Sequence, residues 1–119
     1  MILGIGTDIV EICRVEKAIS KEVFLRKCFT EREITYCNKG KAAQGFAGLF
    51  AAKESVVKAL GTGFRGFLPR DVEICHDQLG KPVVKLSERV GMLKGAQIDI
   101  SISHGKDYAV AMAIIWIKG

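Results

Sequence analysis

One stretch, Leu49 to Gly63 (LFAAKESVVKALGTG), constrains this chain more than any other. It reads as the second half of a helix that starts near Ala42 and stops at Gly61, where lysine and leucine give way to a C-terminal glycine. At about 100° per residue, Phe46, Leu49, Phe50, Val57 and Leu60 form one apolar stripe. The opposite side carries Gly45, Gly48, Ala52, Ser55 and Ala59, and no charge. A helix back turned to water would show lysines and glutamates. Small residues instead suit close packing against a strand or another chain, because each glycine otherwise costs the helix ~1 kcal/mol. The helix is expected to be buried nearly all round.

Three charges sit on it. Glu54 and Lys58 are four residues apart, share a face and flank the stripe. Lys53 falls inside the stripe, where an ammonium needs a carboxylate or phosphate partner. Two readings stand at this point. The first is an i,i+4 salt bridge plus a lysine that snorkels to water. The second is a site for a metal and a phosphate, built on a helix with no other charge.

The length of 119 residues suits one domain spanning 1–119. With 49% hydrophobic and 26% charged residues, the chain has the make-up of a folded soluble protein rather than a disordered one. No apolar run approaches the ~20 residues of a membrane span, so no membrane association is expected. The opening MILGIGTDIV lacks a basic n-region and contains Asp8, which argues against a signal peptide. Cys13, Cys28, Cys37 and Cys75 form no CxxC pair, so free thiols in a reducing cytoplasm are expected and zinc is not. The net charge of +5 favours anionic partners: nucleic acid, acidic proteins or phosphorylated small molecules.

Along the chain, residues 2 to 10 read as a strand in which Gly4 and Gly6 mark the close passage of another backbone. Residues 12 to 37 read as two or three short helices, one of them started by a capping box from Thr30 to Glu33. The basic residues between Arg14 and Arg32 form either a solvated face or a docking surface for an acidic partner. GTGFRG at 61 to 66 matches G-x-G-x-x-G only literally, since it follows a helix and Pro69 comes soon after. A phosphate-contacting or flexible loop is the better reading. Val72 to Cys75 and Val83 to Leu86 bracket a hairpin turn, and Ser87 to Leu93 is expected to hold one or two helical turns. Gln97 to Ser103 and Tyr108 to Ile117 read as strands around a turn at His104 to Asp107. The last is apolar enough to be covered on both faces or to sit at a subunit contact.

The chemical constellations narrow the function. Ser103 and His104 are neighbours on a strand, point to opposite faces and cannot form a nucleophile–base pair. Asp8 and Glu54, two hard carboxylates near lysines with no His/Cys cluster, suit magnesium with phosphate oxygens. Such a site serves phosphoryl transfer, and without a Walker A motif its substrate is not a P-loop nucleotide. Residue chemistry alone stops there.

Four blocks in order, GIGTDIVEI (4–12), FAAKESVVKALGTG (50–63), GKP (80–82) and SISH (101–104), resemble the holo-[acyl-carrier-protein] synthase type of 4'-phosphopantetheinyl transferase over nearly the whole length. The resemblance implies an α+β fold, mainly antiparallel sheet packed around one long central helix. It implies transfer of phosphopantetheine from coenzyme A to a serine of apo acyl carrier protein, in lipid and fatty acid biosynthesis, with release of adenosine 3',5'-bisphosphate. Asp8 and Glu54 would ligate Mg2+ with the coenzyme A pyrophosphate, and Glu54, directly or through a magnesium-bound water, would deprotonate the serine. Lys58 would neutralise or protonate the leaving phosphate. Lys58, Gly61, Gly63, Lys81, Pro82 and His104 would line the coenzyme A site, and Arg14, Lys21 and Arg26 would dock the acidic carrier protein. Members of this length are homotrimers with active sites between subunits.

Two departures stand out. Ser55 replaces the usual alanine, a small change, and Leu49 replaces an arginine of the coenzyme A phosphate environment. The missing contact would come from elsewhere, for example Lys53 or Arg65, and restored arginine at 49 should tighten binding. Two other readings compete. A basic nucleic-acid-binding module lacks a stacking platform and leaves Asp8 and Glu54 unexplained, so no nucleic acid partner is expected. A non-catalytic carrier-binding scaffold predicts that alanine at Asp8 or Glu54 is harmless.

Overall fold

The structure, a computed structural model, describes residues 1–119. A long strand, β1 (Ile2–Glu11), leads into three short helices, α1 (Ile12–Ile19), α2 (Glu22–Cys28) and α3 (Glu31–Asn38). The long helix α4 (Ala42–Leu60) follows, then a 3-10 turn at Pro69–Asp71 and the hairpin β2 (Val72–His76) and β3 (Pro82–Leu86). A second hairpin, β4 (Gln97–His104) and β5 (Tyr108–Trp116), completes the chain. All pairings are antiparallel, in one sheet ordered β1-β5-β4 and a separate β2-β3 ribbon. The arrangement is the expected α+β one.

The uncharged back of α4 lies on the three-stranded sheet. Register places Gly4, Gly6, Asp8 and Val10 of β1 beside Ile115, Ala113, Ala111 and Ala109 of β5, forming an inner face floored by small residues. A Cβ on Gly4 would stand 2.0 Å from the Ala59 carbonyl oxygen, and one on Gly6 would stand 2.0 Å from that of Ser55. The backbone expected to pass these glycines is therefore α4. At Gly48 the helix reaches β4, where an added Cβ would meet Ile102 at 3.1 Å. On the other side, Phe46 packs edge-on against Phe29 with ring centroids 4.9 Å apart, and Phe50 meets Phe24. Gly61, at φ 78°, ends the helix in the left-handed conformation that glycine adopts most readily.

The capping box at Thr30 is present, with the Glu33 amide donating to the Thr30 hydroxyl and the Thr30 amide to the Glu33 carboxylate. Ser87 to Leu93, expected to carry helical turns, forms only a bend and a tight turn. Ser87 is held instead by Asp71, which accepts from both its amide and its hydroxyl, and Gly91 follows within one turn. Strand β5 is buried on one face only, through Ala109, Ala111, Ala113 and Ile115. Its other face aligns Val110, Met112 and Ile114 with Ile9, Thr7 and Ile5 of β1. Ile5 and Ile9 are each more than 60% exposed, so this is an uncovered apolar sheet face. No helix is long and apolar enough to cross a membrane.

Candidate active site

Asp8 and Glu54, 46 positions apart in sequence, line one cleft of about 540 Å³ with Arg14, Phe24, Phe50 and Tyr108. Asp8 is brought there by the glycines before it, which let β1 lie against the C-terminal half of α4. Strand alternation then turns Asp8 to the same face as Gly6, toward the helix. Lys58 stands at the edge of this cleft, half exposed, and its Nζ donates to Asp8 Oδ1 and to the Thr7 carbonyl, each at 3.0 Å. The expected i,i+4 bridge from Lys58 to Glu54 is thus replaced by a bridge to the strand, whose carboxylate and carbonyl offer two acceptors together.

Burial pushes the Glu54 carboxyl above the ordinary glutamate value, the Asp8 charge pushes it further, and Lys58 opposes both. Two carboxylates close enough to repel, open to a cleft and faced by a lysine, could hold a hard cation carrying phosphate oxygens. Glu11 lines the same cleft, but no three such side chains come together as a metal-binding group.

The remaining candidates divide. Lys81, Pro82 and His104 line a second cleft of about 620 Å³, whose floor includes Gly48 and Leu49. It lies beyond the opposite edge of the sheet: Asp8 aligns with Ala111 of β5, and Ala111 with Ile102 of β4. Two strand spacings, roughly 10 Å, separate these edges, and α4 lies across them. Gly61 and Gly63 occupy the turn after α4 and line neither cleft. Arg14 and Lys21 come together with Lys17 around a shallow hollow on α1 and α2. Arg26 does not join them, being paired with Glu22 at 2.7 Å and with Glu31.

Lys53 neither snorkels to water nor faces a phosphate. It is fully buried and paired with Glu33, itself fully buried, which removes it as a substitute for the arginine replaced by Leu49. Burial lowers the Lys53 pKa, against the opposing pull of Glu33.

Sequence reasoning missed Tyr36, Lys41 and His76, which also line the second cleft. The Tyr36 and His76 rings stack with centroids 3.9 Å apart, and burial holds His76 below the ordinary histidine value. No local pattern signals a contact between residues 40 positions apart on different elements.

The 4'-phosphopantetheinyl transferase superfamily model matches residues 4–113. The chain belongs to this superfamily. Among curated phosphopantetheinyl transferase relatives, the holo-[acyl-carrier-protein] synthase of Fusobacterium nucleatum is 50% identical, over 97% of this chain and 99% of its own. That of Clostridium novyi is 52% identical, over 97% of this chain and 88% of its own. Of solved structures, a holo-(acyl-carrier-protein) synthase from Bacillus anthracis in complex with CoA (3',5'-ADP) superposes with a TM-score of 0.85 at 34% identity, covering 99% of each chain. The Helicobacter pylori enzyme in complex with coenzyme A superposes with a TM-score of 0.80 at 30% identity, covering 94% of this chain and 99% of its own.

Proposed function

We propose that this chain is a holo-[acyl-carrier-protein] synthase that moves 4'-phosphopantetheine from coenzyme A to a serine of apo acyl carrier protein. The observation that carries this reading is the meeting of Asp8 and Glu54 at one cleft, with Lys58 bonded to Asp8, within a chain of this superfamily. The serine oxygen attacks the phosphorus nearer the pantetheine. Its new P–O bond forms as the bond to the departing adenosine 3',5'-bisphosphate breaks. Glu54 takes the serine proton directly or through water. Lys58 neutralises the charge that grows on the leaving phosphate. Asp8 and Glu54 fit Mg2+, which when bound would screen the pyrophosphate and polarise the phosphorus under attack. Arg14, Lys17 and Lys21 supply the positive surface for an acidic carrier protein, with Arg26 lessened by its two carboxylates.

The two clefts belong to one site completed by a second subunit. One chain offers Asp8, Glu54 and Lys58, and a neighbour offers Lys81, Pro82 and His104 from beyond the other sheet edge. The uncovered face of Ile5, Ile9, Val110 and Met112 is the contact that makes this a homotrimer in the cytoplasm.

The decisive experiment follows the intact mass of apo acyl carrier protein incubated with this chain, magnesium and coenzyme A. One phosphopantetheine should be gained, and lost with chelator or with Glu54→Ala. Transfer that survives Glu54→Ala would remove the catalytic assignment, and absence of transfer by the unaltered chain would favour the scaffold. For the shared site, co-refolding inactive Glu54→Gln chains with inactive Lys81→Ala/His104→Ala chains should restore activity, since some interfaces then combine two intact halves. No restoration places both halves in one subunit.

A further inference from the structure

Lys53 Nζ lies 2.8 Å from both carboxylate oxygens of Glu33 and donates to the Val72 carbonyl at 2.6 Å and the Pro69 carbonyl at 3.2 Å. Glu33 in turn accepts from the amides of Thr30 and Ile74. Both side chains are fully buried, and no buried polar side-chain atom here lacks a partner. Neither lines either cleft, so the transfer chemistry does not use them. Burying two charges is a poor route to stability, since apolar residues of similar volume often do as well or better. What the pair achieves is geometric: one ammonium ties α4 to the 3-10 turn and to the first residue of β2.

Both ties lead to the proposed coenzyme A contacts. Pro69 closes the glycine-rich loop that begins at Gly61, where α4 stops, so Lys53 fixes the far end of that loop to the helix at its near end. That far end is clamped again by Asp71, which accepts from the Leu68 amide at 2.8 Å. Val72 opens β2, whose partner β3 begins at Pro82, next to Lys81, with His76 opposite Pro82 in register. Lys53 also immediately precedes Glu54 on the same helix.

We propose that Lys53 is a positioning residue that sets the glycine loop and the β2–β3 hairpin relative to α4, and so governs coenzyme A affinity rather than the chemical step. The proposal rests on the transferase reading, and the experiment separates the two. Four chains are compared for steady-state transfer at saturating carrier protein and for Tm: unaltered, Glu33→Gln, Lys53→Met and the double variant Lys53→Met/Glu33→Gln. Transfer by the unaltered chain tests the transferase reading, and the variants test the inference.

Glu33→Gln removes the buried charge partner and one good acceptor, but leaves the Lys53 amine, charged or neutral, donating to Pro69 and Val72. It should lower Tm while the KM for coenzyme A stays within about threefold of the unaltered chain. Lys53→Met removes both carbonyl bonds and should raise that KM by about tenfold or more, with kcat within about threefold. In Lys53→Met/Glu33→Gln, where no buried charge remains, Tm should recover part of its loss while KM stays raised. A KM that follows Tm across the set, or a loss confined to kcat, overturns the inference. So does failure of Lys53→Met to fold in both backgrounds, because the pair would then be a folding device.

Discussion

Gly6→Ala is the most informative single substitution in this chain. It adds one methyl group, far smaller than any change in charge, at a point where strand and helix backbones meet. The new Cβ would stand 2.0 Å from the Ser55 carbonyl oxygen, 2.8 Å from the Ala59 amide nitrogen and 3.0 Å from Lys58 Cβ. The first two are backbone atoms of a hydrogen-bonded helix and cannot rotate away. Since real Cβ contacts do not fall below 3.0 Å, β1 and α4 must part by about 1 Å at this point. Overpacking of this kind costs about 1–3 kcal/mol, which in a domain of this size lowers Tm by roughly 4–15 °C.

The functional consequence is larger. Asp8 is two residues from Gly6 on the same face of β1, while Glu54 and Lys58 belong to the helix that is pushed away. The parting therefore opens the cleft along the line that joins the proposed metal ligands. A displacement of ~1 Å at reacting groups costs on the order of 100-fold in rate. Transfer measured by carrier protein mass under first-order conditions should fall by about that factor, at a temperature where circular dichroism shows the variant folded. A Gly6→Ala chain with unaltered Tm and unaltered rate would refute the close contact and the placing of Asp8 that depends on it.

Four further outcomes can be measured. Glu54→Gln should abolish transfer yet raise Tm at neutral pH by on the order of a few degrees. Because the folded-state pKa is raised, the native protein binds a proton more readily than the unfolded chain, and ionising Glu54 as pH rises through that range lowers stability. In the metal-free protein, NMR titration of Glu54 should give a midpoint above the ordinary glutamate value, and Lys58→Met should raise it again by removing the opposing charge. Leu49→Arg should tighten 3',5'-ADP binding by about tenfold in calorimetry if position 49 faces the nucleotide phosphates, at some loss of Tm because Leu49 is only 3% exposed; unchanged affinity counts against the assignment. Arg14→Ala/Lys21→Ala should raise the KM for carrier protein more steeply at low salt than Arg26→Ala does, since Glu22 and Glu31 already neutralise Arg26.

The parts of this fold legible in the sequence are those written in periodicity and in small residues. The bare back of α4 and the glycines of β1 each announced a close neighbour, and they are each other's neighbour. Thr30 and Glu33 marked a helix start because a capping box is local, complete within four positions. Ser87 to Leu93 misled because Ser87 is held by Asp71, which the β2–β3 hairpin separates from it in sequence and brings beside it in space. The site was half legible for the same reason. Asp8 and Glu54 could be paired by their chemistry, but that Lys58 would reach across to the strand depends on how α4 rolls on the sheet.

Lys53 shows where such reading stops. Its place inside an apolar stripe demanded a partner, and the demand was sound. The partner, Glu33, was already accounted for as the closing residue of a capping box, and nothing local suggested that one carboxylate could cap α3, accept from β2 and neutralise α4 at once. Two oxygens offer about four acceptor positions, so a short-range role leaves room for long-range ones. A capping glutamate that is fully buried, rather than exposed like most caps, therefore has a second function to be found. Here that function joins the helix bearing Glu54, one of the two proposed metal ligands, to the hairpin bearing the proposed coenzyme A contacts. A buried charge with all its hydrogen bonds in place marks a point where relative position matters more than stability.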